Sequence, residues 1–159
     1  MPPQLDRLDR PLELLRDART IAVVGISSAP RKASHGVTAY LIEAGYTVYL
    51  VNPDETEVFG MPVYDRVRDL PERVDIVDIF RRPEHVPPVV EDAIAANARA
   101  VWMQLGIVNE AAAQRARAAG LEVVMDRCTK IDHARLAMLG VVPRVALERE
   151  AGRSATLDL

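Results

Sequence analysis

Six cations in three pairs give this sequence its clearest chemistry. Arg31 with Lys32, Arg81 with Arg82, and Arg127 with Lys130 each follow closely on an apolar run. Guanidinium forks match phosphate oxygens two at a time, and a lysine adds a point charge beside them. Ahead of the first pair runs Gly25-Ile26-Ser27-Ser28-Ala29-Pro30, a glycine and two hydroxyls at the exit of an apolar stretch. Set between a strand and a helix, such a loop turns backbone N–H groups toward an anion. The indicated chemistry is the binding of a phosphorylated ligand.

Nothing comparable supports catalysis or a metal. His35, His85 and His133 stand apart, and none lies in a glycine-rich loop. Cys128 and His133 fall short of a metal ligand set. Asp75 and Asp78, three apart on a strand, point to opposite faces. Asp78 lies inside an apolar run and needs a partner, most simply a backbone N–H or an arginine. Trp102 reads as core.

The elements that must carry these residues alternate along the chain. A short helix over residues 9–18 begins near Asp9 and Pro11. Residues 20–26 form a first strand, and Val37, Tyr40, Leu41 and Ala44 mark a helix stopped by Gly45. Residues 47–51 form a second strand, closed by Asn52-Pro53. Met61-Pro62-Val63-Tyr64 is strand-like and is followed by a turn of helix at 67–70. Further strands span 74–80, 100–106 and 121–126, with helices at 83–97 and 109–119, the latter capped by Asn109 and ended by Gly120. Continuous apolar runs imply strands covered on both faces. The expected fold is α/β, a doubly wound, mostly parallel Rossmann-like sheet of five to six strands with helices on both faces and right-handed crossovers. In such a sheet, ligands sit at the carboxyl ends of the strands, where all three cation pairs fall.

With 159 residues the chain fits one domain, with a core at about 18–136. The tail, 140–159, is expected to be a partly ordered extension or a contact for a second copy, which would make a homo-oligomer. A net charge of −3 gives no basic field for nucleic acid. The single cysteine excludes an internal disulfide. Without a signal-peptide pattern at the N-terminus or an apolar run of about 20 residues, a cytoplasmic location away from membranes is the expectation.

The loop after the first strand holds one glycine of the three in a dinucleotide fingerprint, and the second strand ends in Asn52-Pro53 instead of a carboxylate. Both departures count against NAD. Abundant cations without that carboxylate suit a ligand with a phosphate on its ribose, which leaves NADP or coenzyme A.

Val23-Val24-Gly25-Ile26-Ser27, Gly45-Tyr46, Val51-Asn52-Pro53, the run from Val74 to Arg81, Trp102-Met103-Gln104-Leu105-Gly106 and Val124-Met125-Asp126-Arg127-Cys128 occur in this order. Together they resemble the small single-domain CoA-binding proteins, similar to the CoA-binding domain of the succinyl-CoA synthetase α subunit. The resemblance covers about residues 18–136. It implies that Gly25, Ser27, Ser28, Ala29 and Pro30 wrap the CoA phosphates, with Arg31 and Lys32 adding charge. By the same resemblance, Asn52 and Pro53 lie along the adenosine portion. Phe80, Arg81 and Arg82 border the nucleotide and the start of the pantetheine, and Arg127 belongs to the final basic loop. Thr129 and Asp132 stand where many relatives carry a proline and a glutamate.

The synthetases add a domain with a phosphorylated histidine and a partner subunit, for which this chain is too short. The expected function is therefore binding of CoA or acyl-CoA without independent catalysis. An NADP-binding redox or regulatory module, and a noncatalytic subunit docking on an acyl-CoA enzyme, are the alternatives. Cys128, at a strand's carboxyl end, is placed to form a mixed disulfide with a CoA thiol.

Overall fold

The computed structural model describes residues 8–157. In chain order its first half holds α1 (Arg10–Asp17), β1 (Thr20–Val24), α2 (Ala33–Glu43), β2 (Thr47–Val51), β3 (Glu57–Val58) and β4 (Met61–Tyr64). The second half holds β5 (Ile76–Ile79), α3 (Val86–Ala95), β6 (Ala100–Met103), α4 (Glu110–Ala118), β7 (Glu122–Val124), α5 (Thr129–Met138) and α6 (Arg144–Leu157). The strands form one sheet in the order β3-β4-β2-β1-β5-β6-β7. All pairings are parallel except β3 with β4.

The apolar runs become the middle of this sheet for the expected reason. Every residue of β1, β5 and β6 is buried. Alternate side chains of β1 supply two cores. Ile21 and Val23 pack with Leu15, Leu41, Trp102 and Leu136 beneath α1, α2 and α5. Ala22 and Val24 pack with Val90, Ala93, Ala113 and Ala116 beneath α3 and α4. The expected Asn109 cap forms, with Ala112 N–H donating to its Oδ1 at 3.0 Å, and Asp9 caps α1 by accepting from Leu12 N–H at 3.2 Å. Trp102 is fully buried and donates Nε1–H to the Arg127 carbonyl at 2.7 Å.

The sheet has seven strands, more than the five to six expected. The addition is β3, which pairs antiparallel with the strand expected at 61–64 (β4) across a turn whose residues Phe59 and Gly60 have φ of 57° and 70°. A strand of two residues, Glu57–Val58, gives no apolar run to read. The helix expected over 83–97 divides into a 3₁₀ turn at Pro83–His85 and α3, with Pro87 and Pro88 in the first turn, where missing N–H groups cost little. The structure adds two helices to the expected elements, α5 behind the final basic loop and α6 in the tail. α6 lacks a clear apolar stripe, which hid it. It docks through buried Val145 and through polar contacts, the Arg19–Glu148 ion pair at 2.5 Å and the Arg149 bond to the Glu43 carbonyl at 3.2 Å. No helix among the described residues is long and apolar enough to cross a membrane.

Candidate functional site

The chain runs from β1 to β2 on one side of β1 and places β5 on the other, so the carboxyl ends of β1 and β5 part at the switch point of the sheet. Gly25 follows β1 there with φ of 90°, and a Cβ on it would lie 2.2 Å from the Phe80 carbonyl oxygen. Only glycine allows the two strand exits to pass so closely.

A cavity of about 640 Å³ opens beside this crossing. Gly25, Ser27, Lys32, Ser34 and Val37 line it from the β1 loop and α2. Phe80, Arg81, Arg82 and Pro83 follow β5, Gln104, Leu105 and Ile107 follow β6, and Cys128 precedes α5. Lys32, Arg81 and Arg82 thus meet at one cavity that no carboxylate among the described residues lines. The N-terminus of α2 has no side-chain cap, and its first residues, Ala33 and Ser34, are part of the wall. Unpaired N–H groups and the helix dipole there favour an anion.

The other expected residues lie around this cavity and do not line it. Ser28 donates both its N–H and its Oγ–H to Glu55 Oε1, each at 3.1 Å. Ala29 N–H donates to Ser27 Oγ at 3.1 Å, which tightens the loop, while Pro30 and Arg31 are exposed. Asn52 braces the β2 exit to the β1 loop by donating Nδ2–H to the Ile26 carbonyl at 2.8 Å. Its Oδ1 accepts from Arg81 Nη2 at 3.4 Å. Pro53 lines a smaller cavity of about 290 Å³ that also includes Arg81.

The third cation pair does not join the other two. The Arg127 guanidinium is held by Asp132 at 2.7 Å and Asp9 at 2.9 Å, which ties α5 to the cap of α1 and raises the arginine's pKa. Lys130 Nζ lies 5.6 Å from the centre of the Tyr40 ring. Cys128 is what the last loop contributes to the cavity.

Sequence reasoning missed a buried polar cluster behind the cavity wall, which Gln104 connects to the cavity. Asp78 is fully buried, and its partners are neither a backbone N–H nor an arginine. Gln104 Nε2 lies 2.7 and 2.9 Å from its two oxygens, and Thr129 Oγ1 donates to Oδ2 at 2.9 Å. Burial pushes the Asp78 carboxyl up to about 7 against the pull of these bonds. The signal was present: Asp78 pairs with Trp102 across β5 and β6, so Gln104, two residues on, shares its face.

The histidines remain separate. His35 stacks on Phe59 with ring centres 4.4 Å apart. His133 Nδ1 lies 2.8 Å from the Tyr40 hydroxyl, and burial lowers its pKa. Asp75 caps the far end of the sheet, accepting from Arg19 N–H at 2.8 Å. Among the described residues no group of His, Cys, Asp and Glu has the makings of a metal site.

The CoA binding domain family matches residues 19–134. The protein YneT of Bacillus subtilis (strain 168) is 38% identical over 122 residues, which is 77% of this chain and 90% of that protein. A solved structure of a hypothetical protein from Pyrococcus horikoshii OT3 matches with a TM-score of 0.79 at 38% identity, over 86% of this chain and 97% of that one. Acetate–CoA ligase (ADP-forming) I of Archaeoglobus fulgidus is 28% identical over 157 residues, 92% of this chain and 23% of the ligase. The chain therefore corresponds to less than a quarter of that ligase.

Proposed function

Because the chain belongs to the CoA binding domain family, we propose that it binds coenzyme A or an acyl-CoA in the cavity at the carboxyl ends of β1, β5 and β6, with no catalytic step of its own. The observation that carries this reading is the meeting of Lys32, Arg81 and Arg82 with apolar Val37, Phe80, Leu105 and Ile107 in one cavity that no carboxylate among the described residues lines. CoA has matching parts, phosphates at one end and a long, weakly polar arm. A volume of about 640 Å³ is also that of an ordinary small-molecule site, where about 300–1,000 Å³ is usual.

In this reading Gly25, Ser27, Ser28, Ala29 and Pro30 with the N-terminus of α2 receive phosphate, and Arg31, Lys32 and Arg82 add charge. Asn52 and Pro53 serve the adenosine side, and Phe80 and Arg81 border the junction with the pantetheine. Arg127 acts through the fold, since its ion pairs with Asp9 and Asp132 fix the loop that carries Cys128. The bound CoA would supply a thiol, and the protein supplies orientation and charge. Calorimetry with CoA, acetyl-CoA, NADP and ADP tests the reading; NADP binding without CoA binding would establish a redox or regulatory module in its place.

A further inference from the structure

Gln104 directly follows β6 and lines the cavity, and the hydrogen-bonding chemistry of its partners orients its amide. Above about pH 7, where the buried Asp78 carboxyl is ionised, it only accepts hydrogen bonds, and both its oxygens lie within 2.9 Å of Gln104 Nε2. Thr129 spends its own proton on Asp78 Oδ2, so at 2.8 Å from Nε2 its oxygen accepts from the amide. Both protons of Nε2 are thereby committed. The remaining amide atom, Oε1, has no hydrogen-bond partner among the described residues, and it is not among the buried unpaired atoms. It is therefore the amide atom left to face the cavity, which Gln104 lines together with Phe80, Leu105 and Ile107.

We propose that Gln104 Oε1 is a specificity-determining acceptor for an amide N–H on the pantetheine arm of the ligand, and that Asp78 and Thr129 are positioning residues that hold it toward that arm. The proposal rests on the CoA reading. A purely structural role accounts poorly for the cluster, because an apolar trio would fill a buried site without desolvating a carboxylate. An acceptor between apolar walls selects by penalty. A ligand that displaces water without bringing a donor leaves Oε1 unpaired, which discriminates more strongly than an apolar misfit.

The test is calorimetry on the full chain with CoA, desulfo-CoA, which keeps the amides and lacks the thiol, and adenosine 3′-phosphate 5′-diphosphate, which lacks the arm. Wild type is expected to bind CoA and desulfo-CoA alike, and both more tightly than the armless nucleotide. Gln104→Met should weaken CoA and desulfo-CoA by about tenfold, the scale of one net hydrogen bond, and leave the armless nucleotide unchanged. Asp78→Asn keeps the shape and frees the amide to turn, so it should show the same selective loss if Gln104→Met fails to fold. An equal loss for all three ligands, or none, in the folded variant overturns the proposal. A loss confined to CoA assigns the donor to the thiol and overturns the amide assignment. Wild type that binds none of the three overturns the CoA reading itself, and the proposal with it.

Discussion

Gly25 and Phe80 cross so closely that a Cβ on the glycine would stand 2.2 Å from the Phe80 carbonyl oxygen, with Gly25 at φ of 90°. The contact is with backbone, which cannot swing aside as a side-chain tip can. Gly25→Ala should therefore combine left-handed strain with overpacking, lowering stability by roughly 2–4 kcal/mol. Urea denaturation of the two proteins measures this, and an unchanged midpoint would show that the strand exits part readily.

Glu55 holds the donors of Ser28 that the CoA reading assigns to phosphate. Its carboxylate is then a competitor in the site. Glu55→Gln should strengthen CoA binding severalfold, more at low salt than at high salt because the relieved repulsion is ionic. Equal affinities at both salt concentrations would place Ser28 away from the phosphates.

Asp78 makes stability fall as pH rises. Its carboxyl is raised to about 7 in the folded chain, against an ordinary aspartate value of about 3.9 when unfolded. Between those values the folded state holds the extra proton, so the slope of unfolding free energy against pH is negative for this group. The stability of wild type relative to Asp78→Asn should decline from about pH 4 to about pH 7 and then level. Denaturation across that range checks it, and a flat difference would mean that Asp78 titrates alike in both states.

Much of this arrangement was legible in the sequence because it depends on burial. Unbroken apolar runs announced β1, β5 and β6, and cations directly behind such runs pointed to the carboxyl edge. Arg127 shows where that reasoning runs out. Its position in the chain matched the other basic loops, but Asp9 and Asp132 claim its guanidinium, and neither partner is marked by spacing. α6 escaped for a different reason. It is held by the Arg19–Glu148 ion pair, the Arg149 bond to the Glu43 carbonyl and Val145 instead of by an apolar stripe, so no periodicity betrayed it. Asp78 was recognised as needing a partner, yet its true partners came from the ends of two other segments, which only the sheet register brings together.

Cys128 lines the same cavity as Gln104 and Lys32. If the thiol end of CoA reaches this wall, Cys128 thiolate should attack CoA disulfide, forming a protein–CoA mixed disulfide and releasing one CoA thiolate. Mass spectrometry after incubation with CoA disulfide should show one CoA added to wild type and none to Cys128→Ser. No adduct on wild type would separate Cys128 from the thiol end.

The central claim is that the cations around Gly25 and Phe80 hold the phosphates of CoA. Titration calorimetry of the full chain with CoA, NADP and ADP, repeated with Lys32→Ala and with Arg82→Ala at low and high salt, tests it most directly. CoA should bind most tightly to wild type, and each substitution should weaken it, with the larger loss at low salt. Binding of NADP without CoA, or CoA affinity indifferent to both substitutions, would contradict it.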